Sequence, residues 1–257
     1  MNKKHSKISK NSCSIKIFQK NSKKFAFTLA ETMIAFMIIG IVASITVVVL
    51  VQNNQKDAFA LSLKKFYSTT QQALNYWKTE NVCGDAECMG FVGSVQDPEW
   101  NNMMENHIKK YFNIRKICKY GDSSCEGHTT CGFNSKNCGT SFGSEQFSYI
   151  TADGMYVRIL PTTTSGAWYN WTLDVNGPAG PNIIGRDVHL FRMYKDGTLH
   201  AYCDLFYAQG GNPKNNINNN LYWKTNTKLC DPKEQSYNGN SYGCTARIME
   251  NNWKIDF

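Results

Sequence analysis

The sequence predicts an α+β fold in which one long N-terminal helix precedes a β-rich domain held by disulfides. Three observations support this prediction. Residues 33–51 carry no charge, an apolar helical stripe continues as far as Trp77, and nine of the ten cysteines follow the apolar run. Two Asp-Gly dipeptides, each between aromatic and β-branched segments, indicate β-hairpins.

Residues 1–26 form a basic leader. They contain eight lysines and no acidic residue, whereas the remaining residues hold 20 basic and 20 acidic side chains. The net charge of +8 therefore belongs to the leader, and the composition after it gives no reason to expect nucleic-acid binding. Lysines just before an apolar span keep that end in the cytoplasm, so we expect the body of the chain on the opposite side of the membrane.

Residues 27–51 are predicted to form a membrane-spanning helix. The 19 uncharged residues 33–51 extend about 28 Å as a helix, close to the thickness of a bilayer core. One carboxylate, that of Glu31, lies near the start of this helix. Because a charge in hydrocarbon costs about 2.5 kcal/mol or more, Glu31 is a candidate functional residue that needs a partner.

Residues 52–82 are predicted to continue the helix with one apolar face. No glycine or proline occurs between Gly40 and Gly84, so we expect a single helix of about fifty residues. Apolar side chains recur at steps of three and four, with charged and amide side chains between them. The stripe consists of Phe59, Leu63, Phe66, Thr70, Ala73 or Leu74, and Trp77.

Residues 83–257 are predicted to form one globular, Cys-rich domain. Its second half contains hairpin turns at Asp153-Gly154 and Asp196-Gly197. By contrast, residues 118–143 are rich in Gly, Ser, Asn and Cys, which indicates a loop region held by bridges.

The cysteines of this domain are candidates for disulfides. Their density is typical of an oxidising compartment, and the lack of CxxC pairs argues against zinc. Nine is an odd number, so one thiol is free or bridges another chain, and the pairing cannot be read from sequence beyond Cys83 with Cys88 as the most local pair. The candidates are Cys83, Cys88, Cys118, Cys125, Cys131, Cys138, Cys203, Cys230 and Cys244.

Residues 23–51 resemble the N-terminal signature of type IV pilins and type II secretion pseudopilins. The signature has a basic leader, a small residue (Ala26), an aromatic first residue of the mature chain (Phe27) and a glutamate at its fifth position (Glu31). The resemblance implies that a prepilin peptidase cuts between Ala26 and Phe27 and methylates the new terminus of Phe27. The sequence departs from the common pattern at Ala26, usually glycine, and at Val48, where many members carry proline.

The resemblance further implies a pilin-like α/β roll, with the helix packed on an antiparallel sheet. It implies that Glu31 pairs with the terminal amine of Phe27 on a neighbouring subunit, and that the partners are other pilin or pseudopilin subunits and membrane lipid. An inner-membrane platform protein and an assembly ATPase would act indirectly. The implied location is the bacterial inner membrane, with a single pass and a cytoplasmic N-terminus, followed by a periplasmic or extracellular filament.

Within this family, the size and cysteine content of the body favour a minor pilin or pseudopilin. The alternative is a membrane-anchored exoplasmic binding or adhesive domain that does not polymerise. An enzyme is not expected. Residues 139–143 match G-x-S-x-G, but we expect neither a strand before Ser141 nor a helix after it, and the histidines are scattered.

Residues 173–191 resemble a stretch common in pseudopilin-like proteins, some of which bind calcium in this part of the domain. Asp174, Asn176 and Asp187 are the candidate calcium ligands, since calcium takes six to eight oxygen ligands. The other interpretation is a glycine-rich turn in which Asp174 and Asn176 bond to their own backbone. No other cofactor is expected.

Overall fold

The computed structural model describes residues 28–125, 127–132, 138–140, 142, 146–161, 167–202, 230–231, 241 and 243–257. The chain divides into two compact units, Met1–Val49 and Leu50–Phe257. The helices are α1 (Leu29–Glu80), α2 (Pro98–Tyr111) and α3 (Cys244–Glu250). The strands are β1 (Ile114–Cys118), β2 (Thr129–Cys131), β3 (Cys138–Thr140), β4 (Phe147–Thr151), β5 (Tyr156–Pro161), β6 (Ala167–Asp174), β7 (Val188–Tyr194) and β8 (Leu199–Ala201).

Six of these strands form one antiparallel sheet in the order β1-β4-β5-β6-β7-β8. Both predicted hairpins are present, joining β4 to β5 and β7 to β8. Gly154 and Gly197 have φ angles of 92° and 70°, a region that only glycine adopts without strain, which is why Asp-Gly marks these turns. The expected α+β fold, with a long apolar helix, an antiparallel sheet and several disulfides, is confirmed.

In the unit Leu50–Phe257, α1 packs on this sheet through the predicted apolar stripe. Phe66 lies 5.7 Å from Phe191 of β7, ring centroid to ring centroid, and Gln71 Nε2 donates to the Leu199 carbonyl of β8 at 2.6 Å. Two lysines of α1 bind the hairpin turns: Lys65 pairs with the Asp153 carboxylate at 2.7 Å, and Lys78 donates to the carbonyl of Asp196. The buried residues of α1 are Ala60, Leu63, Phe66, Thr70, Ala73, Leu74 and Trp77.

The helix α2 is an element that the sequence analysis missed. The side chain of Asp97 accepts a hydrogen bond from the Glu99 backbone N–H at 2.9 Å, and Pro98 occupies the first helical position. An Asp N-cap followed by proline is a common helix start, so the signal was present in the sequence. Trp100 of α2 is buried and stacks on Tyr169 of β6, with ring centroids 5.9 Å apart.

The prediction that residues 118–143 form a loop region is wrong for seven of them, Cys118 at the end of β1 and the six residues of β2 and β3. β2 and β3 pair as a second, two-stranded sheet, and the Cys131–Cys138 disulfide joins residues that face each other in its register. This covalent link supports a pairing too short to persist alone. Because β3 ends just before Ser141, the expectation that no strand precedes this serine is also wrong; Ser141 itself lies outside the described residues.

Four disulfides join eight of the nine candidate cysteines. The pairs are Cys83–Cys88, Cys118–Cys125, Cys131–Cys138 and Cys230–Cys244, with sequence separations of 5, 7, 7 and 14 residues. The first is the local pair that the sequence suggested. The ninth candidate, Cys203, lies outside the described residues.

We expect Val82→Gly to stabilise the protein. Val82 follows α1 with a φ of 53° and a side chain that is 90% exposed, while Cys83 N–H donates to the Lys78 carbonyl at 2.8 Å. Glycine is the usual residue at this helix end, and a β-carbon there costs about 1 kcal/mol. Urea unfolding should show a gain of that size. The control is Val92→Gly, an exposed valine without a positive φ, which should be neutral or destabilising.

We also expect stability to fall on acidification because of His189. This residue of β7 is fully buried, with Nδ1 3.5 Å from the Thr245 hydroxyl, and burial lowers its pKa to about 3. The unfolded chain takes up a proton near pH 6.5, so the stabilisation is complete above that pH and is lost as the pH falls towards 3. The stability cost of His189→Gln should therefore shrink by about 2 kcal/mol between pH 7 and pH 5. A pH-independent cost in urea titrations would contradict this.

Candidate functional site

The described N-terminal end of α1 is a closed hydrogen-bonded cap. The backbone N–H and the hydroxyl of Thr28 both donate to Glu31 Oε2, at 2.8 and 2.9 Å. In return, Glu31 N–H donates to the Thr28 hydroxyl at 3.2 Å. Such a reciprocal cap satisfies backbone donors that the first helical turn leaves without partners, and it places the Glu31 carboxylate near the positive end of the helix dipole.

Glu31 is a functional residue predicted from the sequence, whereas Thr28 was not predicted. The signal was available, since Thr28 and Glu31 form the T-x-x-E spacing of a capping box just before an apolar run. Glu31 therefore has a bonding partner within its own chain. The predicted cleavage residues Ala26 and Phe27 lie outside the described residues.

The helix that follows this cap exposes an apolar surface. Each hydroxyl of the run donates to a carbonyl of its own helix: Thr32 to Leu29 at 2.8 Å, Ser44 to Ile41 at 2.8 Å and Thr46 to Val42 at 2.9 Å. No polar group of these side chains thus needs water. Within residues 28–49, the exposed large apolar side chains are Leu29, Met33, Ile34, Phe36, Met37, Ile38, Ile39, Ile41, Val42, Ile45, Val47, Val48 and Val49.

This surface needs a non-aqueous surrounding. Contiguous apolar patches beyond a few hundred Å² are rare on soluble monomers. Among the described residues, α1 is the helix that is long and apolar enough to cross a membrane. A bilayer, or a bundle of like helices, would provide such a surrounding.

The predicted calcium ligands lie together in the loop between β6 and β7. Both carboxylates, of Asp174 and Asp187, are fully buried, and burial raises the pKa of each. Asp187 accepts backbone hydrogen bonds from Asn182 at 2.8 Å and Ile183 at 2.7 Å. Asp174 accepts from the backbone N–H of Asn176 at 3.2 Å, and its other oxygen lies 2.8 Å from His128 Nε2.

These bonds hold the loop in a defined conformation. His128 stacks on Phe142 with centroids 4.4 Å apart and connects β6 to the segment that precedes β2. Two amide oxygens of the loop, Asn176 Oδ1 and Asn182 Oδ1, are buried and have no hydrogen-bond partner among the residues that the structure describes. In the part of the chain that the structure describes, no three His, Cys, Asp or Glu side chains are arranged to hold a metal ion. Calcium binding stays a prediction.

Comparison with protein-family models finds a match at the N-terminus. The match is to the prokaryotic N-terminal methylation motif and covers residues 21–47. No curated protein matches the chain, and no solved structure does. The matched segment contains the Thr28–Glu31 cap and most of the exposed apolar surface. Residues 21–47 thus carry the signature of type IV pilins and pseudopilins.

Proposed function

We propose that this protein is a minor pilin or pseudopilin, a structural subunit rather than an enzyme. A prepilin peptidase would cut between Ala26 and Phe27 and methylate Phe27. The mature chain would then leave the inner membrane and join a filament of like subunits, driven by a platform protein and an ATPase. The observation that carries this proposal is a methylation motif whose single carboxylate, on Glu31, begins an exposed apolar helix.

The chemistry of this end of the chain supports the proposed assembly step. Cleavage would create a cationic amine at Phe27, one helical turn before Glu31. Glu31 Oε2 accepts both hydrogen bonds from Thr28, and Oε1 accepts none from the described residues. Glu31 can therefore keep its cap and still accept a neighbour's amine. In an apolar bundle such an ion pair fixes the register of a subunit, because removing one member leaves an uncompensated charge.

The proposed orientation has the leader in the cytoplasm and the unit Leu50–Phe257 outside. The eight leader lysines support it, since positive residues beside a span stay inside. The four disulfides support it as well, because stable bridges are rare in a reducing cytoplasm.

The first test is the intact mass and N-terminal residue of the protein recovered from membranes, with and without prepilin peptidase. We expect a chain that begins at N-methylated Phe27 only when the peptidase is present. Ala26→Leu places a bulky residue at the cut and should block it. The matched control Ala30→Leu makes the same change inside α1 and should leave cleavage intact. A leader that remains in both strains would favour the non-polymerising membrane anchor.

We also propose that the β6–β7 loop binds calcium. The two unpartnered amide oxygens of Asn176 and Asn182 beside two carboxylates support this, although a calcium ion would share oxygens that already accept hydrogen bonds. A ligand at 100 times its Kd stabilises the folded state by about 2.7 kcal/mol. Melting should therefore occur at a higher temperature in calcium than in EDTA or magnesium. Equal melting temperatures in millimolar calcium and in EDTA would count against the site.

A further inference from the structure

The disulfides join cysteines that follow one another along the chain, with one interruption. The first three bridges link each cysteine to the next one in sequence. Cys203 then precedes Cys230, yet Cys230 is bridged to the later Cys244. All eight described cysteines are disulfide-bonded to one another, so none of them is available to pair with Cys203 in the folded chain.

The order in which cysteines cross the membrane matters for this pattern. In the orientation proposed above, on which this inference rests, the body emerges from its N-terminal end. A thiol oxidase that donates its own disulfide to newly emerged thiols would form the first three bridges correctly. At the fourth step, Cys203 and Cys230 are both available before Cys244 has emerged.

The difference in loop length favours the native Cys230–Cys244 pair over Cys203–Cys230 only weakly. Cys203 and Cys230 are 27 residues apart, whereas Cys230 and Cys244 are separated by 14. The free-energy cost of closing a flexible loop grows as 3/2 RT times the logarithm of its length. The Cys230–Cys244 loop is therefore favoured over the longer Cys203–Cys230 loop by only about threefold. That preference acts only once all three thiols are present, which is after Cys203 and Cys230 have both become accessible to the oxidase.

The folded structure supplies the driving force for the native pair. Arg247 of α3 donates to the Cys230 carbonyl at 3.0 Å, and the Thr245 hydroxyl accepts from Leu190 N–H of β7 at 3.2 Å. Docking of α3 on the sheet therefore brings Cys244 to Cys230. Both cysteines are then at most 1% exposed, so exchange has to occur before the domain closes around them.

We propose that this chain folds through a Cys203–Cys230 disulfide and depends on a thiol–disulfide isomerase to replace it. In the first step, the thiols of Cys203 and Cys230 are oxidised and the disulfide of the oxidase is reduced to a dithiol. In the second, an isomerase thiolate attacks the Cys230 sulfur and releases the Cys203 thiolate. The Cys244 thiolate then attacks the mixed disulfide, forms Cys230–Cys244 and releases the isomerase thiolate, without net oxidation.

The test follows disulfides in the full-length chain, made in strains with and without a periplasmic isomerase. Cells are pulse-labelled, thiols are blocked by alkylation at successive times, and bridged peptides are identified by mass. We expect Cys203–Cys230 to appear first and to persist without isomerase, with a severalfold lower yield of Cys230–Cys244. Cys203→Ser should form the native bridge equally fast in both strains.

Two further variants keep the test decisive if Cys203→Ser folds poorly. Cys244→Ser removes the attacking thiol and should accumulate Cys203–Cys230 in both strains. The matched control Cys13→Ser removes the leader thiol and should behave as the unsubstituted chain.

The inference is overturned if Cys230–Cys244 forms with no earlier Cys203–Cys230, or if Cys203→Ser needs the isomerase as much as the unsubstituted chain. A dimer linked through Cys203 without that intermediate would overturn it too. Fully reduced body cysteines would overturn the orientation and this inference together. An uncut leader on a chain that oxidises in the expected order would count against peptidase processing alone.

Discussion

Glu31→Gln is expected to abolish incorporation into filaments while leaving membrane insertion and leader cleavage intact. Glutamine can still accept the hydrogen bonds from Thr28, so the helix cap survives. Only the charge is lost, and the amine of the neighbouring Phe27 remains unpaired. Breaking a buried ion pair costs about 3 to 5 kcal/mol, which corresponds to a drop of roughly a hundredfold or more in incorporation. The measurement compares the protein in sheared filaments with that left in membranes.

Thr28→Val is the matched control, because it removes the cap hydroxyl and keeps the carboxylate. A lost cap of this type costs about 1 kcal/mol, so incorporation should fall only a few fold. The opposite ranking, with Glu31→Gln incorporated normally and Thr28→Val excluded, would show that Glu31 acts only as a helix cap.

Trp77→Ala is expected to be among the most destabilising single substitutions in the unit Leu50–Phe257. The indole is fully buried, with ring centroids 4.4 Å from His107, 4.9 Å from Phe91 and 5.3 Å from Tyr111. Truncating a buried Trp to Ala costs about 3 to 5 kcal/mol, a large part of the stability of an ordinary domain. Urea unfolding followed by tryptophan fluorescence should show a midpoint far below that of the unsubstituted protein.

The neighbouring residue provides the control. Tyr76 is also aromatic and lies on the same helix, but it is 70% exposed. Tyr76→Ala should therefore change the free energy of unfolding by no more than about 0.5 kcal/mol. Similar losses for both variants would mean that burial of the indole does not determine the effect, since alanine has a higher helix propensity than either aromatic residue.

Elements governed by local rules could be predicted from the sequence. The spacing of Leu63, Phe66, Thr70 and Trp77 identified the buried face of α1, because a helix returns to the same side every three to four residues. The two Asp-Gly turns identified the hairpins, because those turns need a positive φ. The capping residues Thr28 and Asp97 follow equally local rules and could have been found.

Elements that depend on distant partners could not be predicted. β2 and β3 are only three residues long and lie in a Gly- and Asn-rich segment, so their own sequence carries no strand pattern. The formation of these two strands depends on the Cys131–Cys138 bridge and on hydrogen bonds between Cys131 and the β6–β7 loop. One of these bonds runs from Cys131 N–H to the Asn182 carbonyl at 2.8 Å. The contact of His128 with Asp174 joins residues 46 apart, a distance over which sequence spacing is uninformative.

The contact between α1 and the sheet has a mechanical consequence. Between Leu63 and Trp77 the buried stripe runs for about 21 Å along the helix axis. Tension along α1 would load this contact in shear. The side chains of the stripe would then have to lose their contacts with the sheet together and not one after another. Lys65 and Lys78, bound to turns at separate hairpins, would resist sliding near the two ends of the stripe. A pulling force applied through α1 would therefore not separate the helix from the sheet one contact at a time.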